Sequence, residues 1–264
     1  MSVNRSNYFE NYRNLTMQEI YSGRLQVKGP EETFKAGICI CHFPAQVPDY
    51  MEVLQHLHPL ELNYYETLVA EKRKKSYLLG RYSAKQAVFS FVGIHNPQNI
   101  FIKPGCFTQP IFINNHYKNV QVSISHCDDI GAAVAFPEEL LMGIDIERVD
   151  TNKVDPMESQ MTANEIDLVK SFPDPYITML TLLWTAKEAL SKVLKTGLMT
   201  PFHVFEIDML QKKHNSIALT FQNFGQYQGI SFNLGNYINT IVYPKNTEMD
   251  LDIQYLKKKF MYLL

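Results

Sequence analysis

The chain has 264 residues, of which 45% are hydrophobic and 20% are charged, and its formal net charge is −2 at pH 7. These values are typical of a globular protein with a sizeable core and exclude a disordered chain. The small acidic excess argues against general binding to nucleic acid, because proteins that bind the phosphate backbone usually carry excess basic residues. We therefore expect no nucleic-acid partner.

The start of the chain, MSVNRSNYFENYRNL, is polar, and no later stretch approaches the roughly 20 apolar residues that span a bilayer. The four cysteines lack paired C-x-x-C spacing, and a chain of this size without a secretion signal does not predict a disulfide framework. Cys39 and Cys41 alternate with isoleucines in GICICHF, which favours a strand over a metal cluster with His42. We expect a cytoplasmic protein with no membrane partner.

The predicted elements of the first half follow a polar leader. Residues 37–43 favour a strand, and residues 47–93 have helical spacing that is broken near Pro59. Gly, Pro and Asn residues then separate four short runs that are typical of strands, namely NIFI, PIFIN, VQVSIS and IGAAVAF.

The second half restarts the same pattern. Pro137, Glu138 and Glu139 predict a boundary that divides the chain into residues 1–138 and 139–264. A strand at 141–147 is followed by helices near 162–171 and 176–195, by strands at VFEIDML, SIALTFQ, GISFNL and NTIVYP, and by a closing helix at DIQYLKKKFMYL. Each half thus contains a strand, then helices, then several strands, so we predict an α+β fold of two similar subdomains.

Two acids stand out in the strand GIDIERVD. Side chains at i and i+2 of a strand project from one face, so Asp145 and Glu147 lie side by side while Ile144 and Ile146 face the core. Neighbouring carboxylates repel unless a cation lies between them, and oxygen ligands of this kind suit Mg²⁺. The alternative is a strand with one solvated face, on which Glu147 pairs with Arg148 or a lysine.

A third acid lies on the helix of LLWTAKEALSKVLKTGL. Glu188 and Lys192 have the i, i+4 spacing of facing side chains, and Gly197 is a candidate for the left-handed C-cap. The pair could be a simple surface ion pair. It could also supply a metal-binding carboxylate with an ammonium group one turn away, as the binding of a metal-bound phosphate requires.

Residues that could bind an anion lie earlier in the chain than these acids. His126 follows the strand VSIS, where a side chain can leave the sheet and reach a ligand, although a lone histidine is often structural. Arg81 and Lys85 have i, i+4 spacing and could form an anion-binding stripe, with the guanidinium suited to a terminal phosphate. The preceding run of Arg73, Lys74 and Lys75 is explained by a solvated helix face.

Taken together, these motifs resemble the Sfp-type 4'-phosphopantetheinyl transferases. The resemblance covers roughly residues 70–200 and rests on GRYSAK at 80–85, GCFTQP at 105–110, SISH at 123–126, GIDIE at 143–147 and WTAKEALSK at 184–192. It implies a pseudo-twofold pair of similar α+β subdomains with the active site at their interface, and a monomer of pseudo-dimeric architecture. It also implies Mg²⁺-dependent transfer of the phosphopantetheine arm of coenzyme A to a serine of an apo acyl or peptidyl carrier protein.

The resemblance assigns roles to residues of this sequence. It implies that Mg²⁺ is bound by Asp145, Glu147 and Glu188. Glu188 and Lys192 are expected to act in catalysis, with Lys192 also beside the pyrophosphate. Glu165, in TANEIDLV, takes the place of a glutamate proposed as the base in some members. The residues expected to bind coenzyme A are Arg81, Lys85, Ser125, His126 and Lys192.

The chain also departs from the family. Many members have a lysine before the proline of the GCFTQP loop, where this chain has Gln109, so a ligand contact is either missing there or supplied by Lys103. Carrier recognition is expected to use an apolar groove, for which Phe172, Tyr176 and Met179 are candidates, although such residues are usually core.

Two other functions remain open at this point. A Mg²⁺-dependent nucleotide phosphohydrolase could use the same three acids, but the full order of motifs argues against it. A non-catalytic coenzyme A-binding protein could keep the fold without the chemistry. The presence of Asp145, Glu188 and Lys192 together argues against this second alternative.

Overall fold

The computed structural model describes residues 18–43, 51–94 and 96–263. Within these residues the chain forms seven α-helices and twelve strands, so the predicted α+β class is confirmed. The strands are β1 (Gln18–Lys28), β2 (Thr33–His42), β3 (Phe101–Pro104), β4 (Pro110–Ile113), β5 (Gln121–Cys127), β6 (Ile130–Phe136), β7 (Gly143–Arg148), β8 (Ile207–Lys212), β9 (Ile217–Phe221), β10 (Tyr227–Leu234), β11 (Tyr237–Pro244) and β12 (Glu248–Met249). The helices are α1 (Met51–Leu54), α2 (Pro59–Glu66), α3 (Glu71–Val92), α4 (Val154–Glu158), α5 (Ala163–Lys170), α6 (Tyr176–Leu194) and α7 (Ile253–Leu263).

The strands form two large sheets and one hairpin. The first sheet has the order β12-β1-β2-β6-β5, the second has the order β7-β11-β10-β9-β8, and β3 pairs only with β4 among the described strands. All pairs are antiparallel. Helix α3 packs on the first sheet and α6 packs on the second, so each large sheet has its own long helix.

The core has three parts, and the middle one joins the two sheets. Alternate residues of the first sheet, such as Ile38, pack against Ile144, Phe232 and Leu256 from the second sheet and α7. The opposite faces of the sheets pack against α3 and α6, which gives the layer order α3, first sheet, second sheet, α6. Ile144 and Ile146 therefore face the core, as predicted.

Strand β1 was missed by the sequence analysis, which placed it in the polar leader. A β-bulge between Glu19 and Tyr21 shifts its register on β2. The bulge interrupts the pattern only at the start of the strand. From Tyr21 to Lys28, Tyr, Gly, Leu and Val alternate with polar residues, so this part of β1 has a strand pattern that was not recognised. The polar start at 1–15 and the first residues of the predicted helical stretch, 47–50, lie outside the described residues.

The helix ends differ from the predictions in two places. Helix α2 begins at Pro59, where His58 forms the capping box, but the stretch also breaks between α2 and α3, which was not predicted. At the end of α6 the left-handed C-cap is Lys195, with φ of 56°, while Gly197 adopts positive φ two residues later. No helix in the described part of the chain is long and apolar enough to cross a bilayer.

The two large sheets meet along β5 and β7, which run in the same direction. Between these two strands, hydroxyl and thiol groups of β5 accept hydrogen bonds from the backbone amides of β7, where paired strands would use backbone carbonyl groups. Three such bonds repeat at a separation of 21 residues: Ser123 Oγ with the amide of Ile144 at 3.1 Å, Ser125 Oγ with that of Ile146 at 3.3 Å, and Cys127 Sγ with that of Arg148 at 3.3 Å. This seam places the SISH motif beside the acids of β7.

Gly143 sets the distance between α6 and β7. A Cβ atom at this position would lie 2.1 Å from the carbonyl oxygen of Ala189, which is far inside van der Waals contact. We expect Gly143→Ala to lower the free energy of unfolding by about 1–3 kcal/mol or more, because α6 must move away from the strand. Urea denaturation followed by circular dichroism measures the change.

Gly225→Ala is the matched control for this substitution. No described atom lies within 4 Å of a Cβ built at Gly225, so this variant is expected to unfold like the unmodified protein. Equal stability of the two variants would contradict the close approach at Gly143.

Candidate functional site

The site is centred on Asp145, which lies on β7 and is 5% exposed. Its Oδ1 atom accepts hydrogen bonds from Ser125 Oγ and from Lys192 Nζ, each at 2.7 Å. Among the described residues, its Oδ2 atom is buried and has no hydrogen-bond partner. A buried carboxylate oxygen without a partner is costly, which indicates a place for a cation or a donor from a ligand.

Helix α6 brings Lys192 and Glu188 to this carboxylate. Lys192 also donates to the carbonyl oxygen of Ile144 at 2.9 Å, so its ammonium group bridges strand backbone and carboxylate. Burial and the charges of Asp145 and Glu147 raise the pKa of Glu188 to about 7. The i, i+4 pair predicted from the sequence therefore faces β7 and is not a simple surface ion pair.

Glu147 has a different environment. Its Oε2 atom lies 2.9 Å from Lys153 Nζ in a partly exposed ion pair, whereas Arg148 pairs with Asp128 at 3.1 Å. This arrangement matches the alternative in which Glu147 pairs with a lysine. Lys153 was missed by the sequence analysis, since it lies in the turn after β7 and belongs to no motif.

The residues could hold a magnesium ion with two carboxylates, whereas three were expected from the sequence. In the part of the chain that the structure describes, no three acidic, histidine or cysteine side chains converge as a complete metal cluster. However, Mg²⁺ is usually held by one or two carboxylates together with substrate phosphates. Asp145 Oδ2 and the neighbouring Glu188 supply such a pair. Glu147 would have to leave Lys153 to join them.

Two cavities of about 570 Å³ each lie near this group of residues. Glu188 and Lys192 line the first of them, whereas Asp145 lines neither. The α6 cavity is lined by Glu188, Lys192, Lys195 and the loop 106–110, together with apolar residues of both halves. The α3 cavity is lined by Arg73, Arg81, Lys103 and His126, together with Tyr64, Tyr77 and Phe101. Thr108, Pro110 and Ile124 line both, so the cavities adjoin.

The α3 cavity concentrates positive charge. Arg81 stacks on the ring of Tyr77, with 4.7 Å from Cζ to the ring centroid, and its Nε atom lies 3.7 Å from Glu61 Oε1. Desolvation lowers the pKa of His126, and the positive charges of Lys192 and Arg73 lower it further. With Lys103 on the same wall, this cavity suits a polyanionic ligand.

Residues 141–242 match the family model of the 4'-phosphopantetheinyl transferase superfamily. This part of the chain is therefore similar to that superfamily. The matched range contains Asp145, Glu147, Glu165, Glu188 and Lys192, whereas the predicted ligands on α3 and β5 precede it. No curated protein matches the chain significantly.

Glu165 lies within the matched range, where the structure gives it a structural position and does not favour its predicted role as base. Glu165 is fully buried at the start of α5, where it completes a capping box with Thr162. One carboxylate oxygen accepts the amide of Ile207 at 2.9 Å, and the other lies 2.6 Å from Lys187 Nζ. Lys187 is also fully buried, so the pair holds α5, α6 and β8 together.

The expectation that Lys85, which precedes the matched range, binds an anion is not supported by its position in the structure. Its side chain is 1% exposed, and Nζ lies 2.8 Å from Glu61 Oε2 and 2.8 Å from the carbonyl oxygen of Pro97. Lys85 therefore does not line the α3 cavity with the described residues Arg81 and His126. Lys85 does have i, i+4 spacing with Arg81 on α3. However, α2 and the segment before β3 cover the side of α3 on which Lys85 lies.

Of the remaining candidates, Gln109 and Lys103 line the two cavities, whereas three apolar residues belong to the core. Gln109 folds back over Gly105 and accepts the amide of Phe107 at 2.9 Å, so its side chain stabilises the loop between β3 and β4. Lys103 lines the α3 cavity, as the sequence analysis allowed. Met179 is fully buried, and Phe172 and Tyr176 pack against the same core, which agrees with the core alternative for these three residues.

Proposed function

We propose that the chain transfers the 4'-phosphopantetheine arm of coenzyme A to a serine of an apo acyl or peptidyl carrier protein, with Mg²⁺ as cofactor. The observation that carries this proposal is the arrangement of Asp145, Glu188 and Lys192 within the range that matches the superfamily model. Glu188 and Lys192 line the α6 cavity, which adjoins the α3 cavity. The products are the modified carrier and adenosine 3',5'-bisphosphate.

The two cavities suit different parts of coenzyme A. The nucleotide end of coenzyme A carries most of the negative charge, and the α3 cavity offers Arg81, His126 and Lys103 for its phosphates and aromatic rings for its base. The pyrophosphate then reaches Lys192 at the junction, and the pantetheine arm extends along the more apolar walls of the α6 cavity. A linear ligand with a charged head and a less polar arm matches this division.

In the reaction, the serine oxygen attacks the phosphorus that bears the pantetheine arm. A phosphodiester bond to serine forms and the pyrophosphate bond to the adenosine phosphate breaks. The serine proton passes through water to the released phosphate, which gains negative charge as it leaves. The approach to an anionic centre requires positive charge, which Lys192 supplies from α6. Mg²⁺ held by Asp145 and Glu188 would polarise the pyrophosphate and stabilise the leaving phosphate. We assign Glu165 and Lys187 to holding α6 in place.

We also propose that the halves 1–138 and 139–264 are pseudo-twofold subdomains with the active site at their interface. A buried Glu–Lys pair supports this in each half. Glu61 caps α2, pairs with Lys85 of α3 and accepts the amide of Ile102, just as Glu165 does with Lys187 and Ile207.

Glycine contacts in the two halves correspond as well. A Cβ atom on Gly37 of β2 would lie 2.0 Å from the carbonyl oxygen of Ala87, two residues after Lys85. Gly143 and Ala189 have the same relation, two residues after Lys187. The C-terminal segment nevertheless returns to the first half, because β12 pairs with β1.

Intact mass of a purified apo carrier protein tests the proposed transfer. After incubation with the protein, coenzyme A and Mg²⁺, we expect a mass gain of roughly 340 Da that a chelator abolishes. Cleavage of coenzyme A without carrier modification would instead show a phosphohydrolase. Binding of coenzyme A without modification of acyl and peptidyl carriers would show a non-catalytic protein.

Arg81→Ala is expected to weaken coenzyme A binding about tenfold or more, because a guanidinium lost from a phosphate removes a charge-assisted hydrogen bond. Isothermal titration with coenzyme A and with 3'-dephospho-coenzyme A measures the effect. A larger loss for coenzyme A is expected if Arg81 contacts the 3'-phosphate. Arg24→Ala, which alters an exposed arginine of β1, is the control. Equal losses for both ligands would contradict the 3'-phosphate role.

A further inference from the structure

The hydroxyl group of Ser125 makes hydrogen bonds to two residues of β7. The oxygen accepts the amide hydrogen of Ile146 at 3.3 Å, and the hydroxyl hydrogen is donated to Asp145 Oδ1 at 2.7 Å. The residue is 8% exposed. A hydroxyl has a single hydrogen to donate, so Ser125 cannot also donate to a ligand phosphate while it holds Asp145.

The bonds to Asp145 come from both halves of the molecule. Ser125 reaches Oδ1 from β5, and Lys192 reaches the same oxygen at 2.7 Å from α6. Two donors on one oxygen restrict rotation of the carboxylate about its last bond. Oδ2 is then the oxygen that remains available for a ligand, and it is buried without a partner among the described residues.

We infer that Ser125 is a positioning residue that orients Asp145 and thereby sets which carboxylate oxygen meets the cation. This inference rests on the proposed function, and it replaces the direct coenzyme A contact expected for Ser125 from the family resemblance. Hydrogen bonds to a metal-binding carboxylate typically change metal affinity 10- to 100-fold when they are removed. Ser125→Ala should show an effect of this size.

The seam supplies its own matched variants. Ser123 accepts the amide of Ile144 in the same way, at 3.1 Å, but makes no bond to a carboxylate in the described structure. Cys127 shows that a thiol can accept an amide at the third position, 3.3 Å from the nitrogen of Arg148. Ser125→Cys therefore keeps the bond to β7 and replaces the hydroxyl donor with a weaker one.

The experiment measures Mn²⁺ binding by electron paramagnetic resonance, in the presence of coenzyme A, for the unmodified protein and for Ser125→Ala, Ser125→Cys and Ser123→Ala. We expect affinities 10- to 100-fold lower for Ser125→Ala, intermediate for Ser125→Cys and unchanged for Ser123→Ala. Transfer assays should show a lower kcat for Ser125→Ala with little change in the KM for the carrier. Thermal unfolding of each variant identifies any general loss of structure, and Ser125→Cys decides the matter if Ser125→Ala does not fold.

The outcomes separate this inference from the proposed function. If the unmodified protein binds Mn²⁺ and modifies the carrier but Ser125→Ala and Ser123→Ala bind Mn²⁺ equally, the positioning role is refuted and the transferase proposal stands. If Ser125→Ala weakens metal-free binding of coenzyme A and leaves the Mn²⁺ affinity unchanged, Ser125 contacts the substrate instead. If the unmodified protein neither binds Mn²⁺ nor modifies a carrier, both proposals fail.

Discussion

Replacing Lys187 with methionine is expected to lower the free energy of unfolding by about 3–5 kcal/mol, because the substitution leaves the charge of Glu165 buried without its partner. Both side chains are fully buried, and Nζ lies 2.6 Å from the Glu165 carboxylate and 3.1 Å from the carbonyl oxygen of Phe202. Burial lowers the pKa of Lys187, and the charge of Glu165 opposes that change. Urea denaturation followed by circular dichroism measures the loss.

Two companion variants separate stability from chemistry. Glu165→Gln combined with Lys187→Met removes both charges, so part of the lost stability should return. Lys192→Met replaces a lysine that is 25% exposed, so it should reduce transfer and lower the free energy of unfolding less than Lys187→Met does. If Lys187→Met unfolds like the unmodified protein but loses transfer, the buried pair has a catalytic role and its assignment to holding α6 is wrong.

The second large effect is expected for Asp145→Asn, which should reduce carrier modification by about 10³-fold. Asparagine has nearly the same shape, and its amide oxygen can still accept the hydrogen bond from Ser125, so the fold should persist. The substitution removes the negative charge that faces Lys192 and the oxygen proposed to meet the cation. Initial rates of carrier modification measure the loss of transfer, and Mn²⁺ titration measures the loss of metal binding.

Asp174→Asn is the control for this substitution. Asp174 also lies 2.7 Å from a lysine, Lys212, but that ion pair is on the surface and neither residue lines the α3 or α6 cavity in the described structure. Its removal should change neither transfer nor Mn²⁺ binding, since surface pairs contribute little. An Asp145→Asn variant with unreduced rates would refute the proposed centre of the site.

Elements with sustained periodicity could be predicted from the sequence. The i, i+3, i+4 pattern of α6 and the alternation of β2 and β7 depend on local geometry, so they persist in the fold. Strand β1 also has this alternation from Tyr21 to Lys28 and could have been predicted from it. The bulge at its start could not, because it depends on the pairing with β2.

For the site residues too, local spacing was sufficient for some predictions and insufficient for others. The spacing of Glu188 and Lys192 predicted that both side chains lie on one face of a helix. The role of Gly143 in the packing of α6 could not be predicted, because it depends on the contact with Ala189. The spacing of Arg81 and Lys85 predicted a similar stripe, yet Lys85 is buried against Glu61. Periodicity defines which side chains share a face but does not show what covers that face.

Four features follow from the amino-acid sequence: the α+β class, the strand that presents Asp145, the helix that presents Glu188 and Lys192, and the order of motifs that resembles the transferase family. Each helix, strand or motif among them depends on residues within a few positions of one another. The partners of the buried residues are known from the folded chain alone: Glu165 with Lys187, Lys85 with Glu61, and Ser125 of β5 with Ile146 of β7. The same holds for the pair of Glu147 and Lys153. These partners are between 6 and 24 positions apart, and their contacts depend on how whole elements pack, which local spacing does not specify.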